Sequence, residues 1–338
     1  MRYSSRLFLY APLIVLVMLT IAASAHWQSV AGGLESWLRR SNGHEIAPGV
    51  TLRFASESVG GFPFNVDAVL TDVTIGVRTA FGPARWHTER FALHELTFGR
   101  AQQIYEAAGS QTLSWIDAEH VPHHFAFVPG SLQASAISSQ ARLVRFDLDI
   151  NGIGSRALSG ARAQLHFRKS PGHDAIDLVF SADGLHLARD LRAGFGAEIS
   201  HILVQARLTP AGESAPLFGG NDSWDGALEK WRRSHGALRL DRADVNWGKI
   251  RAQGSGAISL DAAHRLTGSL ALVIAGAPQL RNAEPGDARL THALEDLTKV
   301  GGGTPLHILA TFASGAVNLR LTRVPQTATS AGKVGALY

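Results

Sequence analysis

Apolar and polar residues alternate one for one through most of this chain. In Phe62–Ala68, Phe62, Phe64, Val66 and Ala68 alternate with Pro63, Asn65 and Asp67. Val144, Phe146, Leu148 and Ile150 are interleaved with Arg145, Asp147 and Asp149, and Ala161, Ala163, Leu165 and Phe167 with Arg162, Gln164, His166 and Arg168. Only an extended strand sends successive side chains to opposite faces, so a period of two specifies a sheet with one wet and one dry face. The same period returns at Ile202–Leu208, at Leu238, Leu240, Val245 and Trp247, and at Ile258 and Leu260. It recurs at Leu270, Leu272 and Ile274, at Leu306, Ile308 and Phe312, and at Val317, Leu319 and Leu321. Glycine and aspartate separate the runs, which predicts at least ten antiparallel strands. Near Thr71-Asp72 the apolar parity flips to Val73, Ile75 and Val77, which predicts a turn or bulge.

Two helices are expected within the sheet sequence. Asp222 or Ser223 can cap one carrying Trp224, Leu228 and Trp231 on one side. Pro285 and Asp287 can open another, with Leu290, Leu294 and Leu297 on one face and Gly301-Gly302-Gly303 at its end. A short echo, Gly236–Asp241 repeated as Gly256–Asp261, reads as hairpin grammar in which glycine opens a strand and aspartate begins a turn. Gly254-Ser255-Gly256 reads as a close approach between strands.

The N-terminus follows a different rule. Arg2 and Arg6 precede Leu7–Ala25, 19 residues without a charge. As a helix that run spans about 28 Å, close to the roughly 30 Å hydrocarbon core of a bilayer. The arginines place the N-terminus in the cytoplasm and the rest of the chain outside it, in a bacterium the periplasm. Ala23-Ser24-Ala25 also fits a signal-peptidase site, but the run exceeds a signal peptide's usual apolar length, which favours an uncleaved anchor. Trp27, Val30, Leu34, Trp37 and Leu38 then fall at helical spacing as far as Asn42-Gly43, predicting an amphipathic segment that packs on the domain or rests on the bilayer. The expected organisation is residues 1–25 as anchor, 26–45 as linker helix, 46–325 as the β domain, and 326–338 as a small, polar, disordered tail.

Composition removes several chemistries. The 338 residues include no cysteine, which excludes disulfides, thiol nucleophiles and cysteine-held metals. The net charge is only +4, with no basic stripe, so no nucleic-acid partner is expected. The 15 histidines raise the question of metal, and Glu119-His120-Val121-Pro122-His123-His124 is their densest cluster. Pro122 argues against the helical spacing a zinc pair uses, so the cluster reads as a polar loop. His94-Glu95 begins like a zincin helix, but Phe98 stands where the second histidine belongs. His166, His201 and His307 fall on the polar parity of strands. Asp147 and Asp149 share a strand face that reads as solvated, as do Glu295 and Asp296 on a helix. No nucleophile elbow, phosphate loop or dinucleotide fingerprint occurs. No catalytic residue, metal site or cofactor is therefore expected. The tryptophans Trp27, Trp37, Trp224, Trp231 and Trp247 suit either core packing or the mouth of a groove.

With its N-terminal anchor, Gly60-Gly61-Phe62-Pro63-Phe64 before a strand, and Arg85-Trp86 leading to Phe91-Ala92-Leu93, the chain resembles an uncharacterised bacterial envelope family, domain of unknown function 2125. Asn246-Trp247-Gly248, Gly254-Ser255-Gly256 and Leu260-Asp261 are similar to its C-terminal half. The same grammar resembles AsmA-like inner-membrane proteins, which implies a bent β-sheet used as a hydrophobic groove for lipid. The chain is short beside bridging members of that group.

The expectation is mainly β: a large curved antiparallel sheet, groove- or sandwich-like, with a few covering helices and an N-terminal transmembrane helix. It is placed in the bacterial inner membrane through Leu7 to Ala25, single-pass, with its C-terminal domain in the periplasm. Two functions are open. One is a non-enzymatic protein binding lipid or another amphiphile in an apolar groove during envelope maintenance, with Ile258, Leu260, Leu270, Leu272 and Ile274 as candidate lining. The other is an envelope scaffold with a filled core and protein partners.

Overall fold

The computed structural model describes residues 4–79, 82–97, 102–117, 120–139, 142–188, 195–214, 224–276 and 305–322. The expected helix around Leu290–Leu297, the Asp222/Ser223 cap, Glu295-Asp296 and the tail lie outside them. Helix α1 (Ser4–Ser41) leads into β1 (His44–Ala47), β2 (Val50–Arg53), β3 (Ser56–Gly60), β4 (Asn65–Thr79), β5 (Gly82–Leu96), β6 (Gln102–Ile116), β7 (Pro122–Ser139) and β8 (Arg142–Gly154). Then come β9 (Leu158–Lys169), β10 (Ile176–Leu187), β11 (Glu198–Thr209), α2 (Ala211–Ser214), α3 (Trp224–Arg233), β12 (Ala237–Trp247), β13 (Ile250–Leu260), β14 (Leu266–Ala275), β15 (Leu306–Ala313) and β16 (Ala316–Leu321).

All 16 strands belong to one open antiparallel sheet, in which each pairs with its neighbours in sequence from β4 onward. The short β2 and β3 share the outer edge of β4. Among the described residues, strand–strand contacts of any extent run between ladder neighbours. The alternation becomes, through the registers, two apolar rows. One runs Leu70–Phe91–Ala107–Leu132–Ile150–Ala163–Ala182–Ile202–Val245–Ala252–Ile274–Leu306, each residue opposite the next. Beside it, a second row starts at Ala68, Leu93 and Tyr105, passes Leu148, Leu165 and Phe180, and ends at Leu272, Ile308 and Leu321. At about 4.8 Å per strand, the twelve steps from β4 to β16 make a path of roughly 58 Å.

The opposite face is ionic. Asp67 and His94, Asp147 and His166, and Asp183 and His201 stand directly opposite one another across their ladders, 2.8, 2.8 and 2.6 Å apart. Asp177 bridges Arg207 at 3.1 Å and Arg168 at 3.8 Å. The sheet thus keeps one face dry and one wet across its width.

Where the alternation breaks, the backbone shows why. At Asp72, φ is +54°, and the β4–β5 ladder skips the Asp72–Glu89 pair before resuming in the same register. The parity flip is therefore a kink within one long strand and not a turn. The break between Leu240 and Val245 is a bulge: the β12 ladder shifts between Leu240 and Ala243. Asp241 thus lies mid-strand, where the sequence echo placed a turn; Asp261 does begin one, with His264 N bonded to its carbonyl at 3.0 Å. Gly256 is a close approach: a Cβ there would lie 2.3 Å from Ser269 O.

Helix α1 is unbroken, so anchor and linker form one element of about 57 Å. Trp27, Ala31, Leu34 and Leu38 recur along the face turned to the sheet, with Ala31 and Leu38 buried at its centre. There Leu38 packs on Leu52, Phe54, Ala68, Leu70 and Val73. Residues Leu13 to Ile21, by contrast, stand bare, with each large apolar side chain half exposed or more. The helix ends at Ser41; the side chain of Asn42, next in the chain, donates to Phe54 O and accepts from Phe54 N, both at 3.0 Å, and Gly43 turns away at φ +81°. A second cover comes from α3, which opens at Trp224 and lays Leu228 and Trp231 on Phe167, Ile176 and Leu208.

Candidate functional site

The first row begins in a hollow. Between the C-terminal third of α1 and strands β1, β2, β4, β5 and β6 lies a cavity of about 380 Å³, within the usual size of a small-molecule site. Leu34, Trp37 and Leu38 form one wall, Leu70, Val73 and Ile75 another, and Phe91 and Leu93 the floor. Trp37 and Ile46, 44 % and 38 % exposed, stand at the mouth. The wall is apolar except on one side, where Glu95, Gln103 and Tyr105 line it. There the Tyr105 hydroxyl donates to Gln103 Oε1 at 2.5 Å, and Gln103 Nε2 donates to Glu95 Oε2 at 3.3 Å. Burial first, and then the Glu95 carboxylate, push the Tyr105 hydroxyl pKa up, so it stays a neutral donor.

The five residues picked out by the alternation share the apolar face but lie at the far end of it. Leu272 and Ile274 pack on Ile250, Leu306 and Ile308. Leu260 joins the group around Trp231, while Ile258 faces Leu238 and Gly268, and Leu270 faces Gly256 and Ala310. None of the five lines the cavity; Leu272 and Ile274 are joined to it by the two rows. The residues that do line it on β5 and β6 were not singled out by alternation, although Phe91-Ala92-Leu93 carries the signal. Trp37 is at a mouth, as one reading of the tryptophans has it, whereas Trp231 is 5 % exposed and is core.

The polar candidates have structural explanations. Strand β7 begins at Pro122, so His123 and His124 open a strand instead of filling a loop; proline is tolerated there as a first strand residue. His123 bonds Asp117 at 2.6 Å and stacks on Trp115 with centroids 5.2 Å apart, and His120 sits in the turn at φ +61°. His94-Glu95 is on a strand, and His94 faces away from Glu95 toward Asp67. Among the described residues no three histidines or carboxylates gather as metal ligands would. For Asp147, burial raises the pKa, but hydrogen bonds from His166 and Arg145 outweigh it and hold the group below its ordinary value. Arg162 does the same for Asp149. Both shifts run opposite to what a general acid needs.

The family described as "Uncharacterized protein conserved in bacteria (DUF2125)" matches residues 27–331. The chain belongs to this family. The DUF2125 match opens at Trp27, whose Nε1 donates to Asn65 O on β4 at 2.6 Å. No curated protein and no solved structure matches the chain.

Proposed function

We propose that this DUF2125 protein is anchored in the inner membrane by α1, carries its sheet on the periplasmic side, and binds the acyl chain of a membrane amphiphile without catalysing its conversion. The observation that carries the reading is the continuity of apolar surface from membrane helix to cavity to sheet. Leu34 lies nine residues beyond Ala25, about 14 Å along the same helix. An acyl chain leaving the bilayer beside α1 meets the cavity next, and from there the paired rows lead toward Leu272 and Ile274. Glu95, Gln103 and Tyr105 offer a polar head both donors and acceptors, and the carboxylate disfavours an anionic one. The AsmA-like resemblance implies the same use of a sheet.

A titration tests this. The full chain in detergent, mixed with a fluorescent fatty-acyl probe, should saturate at one probe and release it to monoacylglycerol. Leu93→Trp, which places a larger ring in the cavity, should weaken probe binding at least tenfold. Equal binding by the variant, with its fold retained, counts against the cavity and favours the scaffold reading, in which the core is merely filled.

A further inference from the structure

The Gly60–Phe64 segment is used by neither the cavity nor the sheet's rows, yet it holds some of the most exposed large apolar side chains of the domain. Phe62 is 54 % exposed and Phe64 71 %, and Leu96 beside them is 54 % exposed. They share one end of the sheet: Leu96 pairs with Asn65 across β4–β5, and Thr97 N donates to Phe64 O at 2.8 Å. The segment has a set shape. Gly61 sits at φ +95°, and a Cβ there would lie 2.6 Å from Asp67 Oδ2 and 2.8 Å from Asn65 O.

This end is fastened to α1 at one level. The Trp27 indole donates to Asn65 O at 2.6 Å and meets Phe62 edge-on with ring centroids 5.4 Å apart. Trp27 is two residues past the charge-free run, about 3 Å along the helix. The polar zone of a bilayer extends roughly 5–7 Å on each side of its hydrocarbon core. A helix that crosses with Leu7–Ala25 in the core therefore sets Phe62, Phe64 and Leu96 within that zone. Aromatic and aliphatic side chains are favoured there when a polar backbone stands behind them.

We propose that Phe62, Phe64 and Leu96 form an interfacial patch that inserts into the outer surface of the same bilayer and fixes how the sheet stands on the membrane. The proposal rests on the anchor reading but not on any ligand in the cavity. Because α1 from Trp27 to Leu38 advances in the same direction as β4 from Asn65 to Val73, the patch holds the cavity mouth a fixed height above the lipid.

The absence of cysteine makes a direct test available. The full chain carrying Phe64→Cys is labelled with an environment-sensitive fluorophore and reconstituted into phosphatidylcholine–phosphatidylglycerol vesicles containing lipid with a nitroxide near the glycerol. An Arg85→Cys label, eleven residues along β5 from Leu96 and so about 36 Å away, is the control. The Phe64 label should be quenched several-fold more than the control, and a Leu96→Cys label should follow it. A chain that floats with the vesicles while all labels are quenched alike overturns the patch and leaves the anchor standing. A chain that fails to float overturns both.

Discussion

Replacing Gln111 by leucine is the sharpest test of how the sheet keeps its register. Gln111 and Thr88 are fully buried on the apolar side, where the β5 ladder shifts between Thr88 and Arg90 and the β6 ladder between Ala107 and Gln111. The Gln111 amide accepts from Trp86 Nε1 at 3.0 Å and donates to Thr88 Oγ1 at 2.8 Å. Leucine keeps the volume and removes both bonds, together with a longer third one from Gln111 Nε2 to Gly109 O at 3.3 Å. The Trp86 indole donor is then left without its acceptor, a cost of about 1–3 kcal/mol, at the lower end because Trp86 is only half-buried. Losing the bond to Thr88 costs about 1 kcal/mol more, and the gain from burying leucine offsets part of the total. The net expectation is about 2 kcal/mol, a fall of roughly 4–8 °C in Tm. Trp86→Phe combined with Gln111→Leu removes the stranded donor as well, so the double variant should be about 1 kcal/mol more stable than the sum of the singles predicts. Thermal unfolding of the four proteins checks this. A Gln111→Leu Tm within 1 °C of the parent, or strictly additive variants, refutes the network as the pin of the two bulges.

Three further outcomes follow from the same structure. Alkaline phosphatase fused after residue 45 should be active, because Arg2 and Arg6 hold the N-terminus inside; an inactive reporter contradicts the orientation. Leu272→Asp places a charge against Ile250, Leu306 and Ile308 and should cost at least about 3 kcal/mol by urea unfolding, so unchanged stability would mean that this end of the row is open to water. Asp147 has a depressed pKa, so its contribution to stability is complete above about pH 4 and is lost as the pH falls through the lower folded-state value. Asp147→Asn should therefore narrow the Tm difference between pH 6 and pH 3, and an unaltered difference counts against the His166–Arg145 pairing.

The sheet was legible because alternation reports directly on strands whose two faces differ, as at Val144–Ile150 and Ala161–Phe167. Strands β5 and β6 were harder to read. Thr88 and Gln111 put buried polar groups on the dry face, and the bulges beside them shift the period, so Phe91 and Tyr105 do not fall on one uniform alternation. The histidines near Pro122 misled for a related reason: proline and histidine suggest a loop, but a proline that begins a strand gives up no essential donor. The cavity was legible only in part. The apolar face of α1 is visible in Trp27, Leu34 and Leu38, but its partner wall is assembled from β1, β2, β4, β5 and β6, and no local pattern encodes which strands a helix will cover.

The central claim is that an acyl chain occupies the hollow between α1 and the sheet. A monoacylglycerol bearing a diazirine in mid-chain, incorporated into vesicles with the full protein and photolysed, tests it residue by residue. Peptide mapping should place crosslinks on Leu34–Leu38, on Leu70–Ile75 and on Phe91–Leu93, with Leu93→Trp reducing them. Crosslinks confined to the bare helix between Leu13 and Ile21, with none on β4 or β5, would show lipid surrounding the anchor and nothing in the cavity.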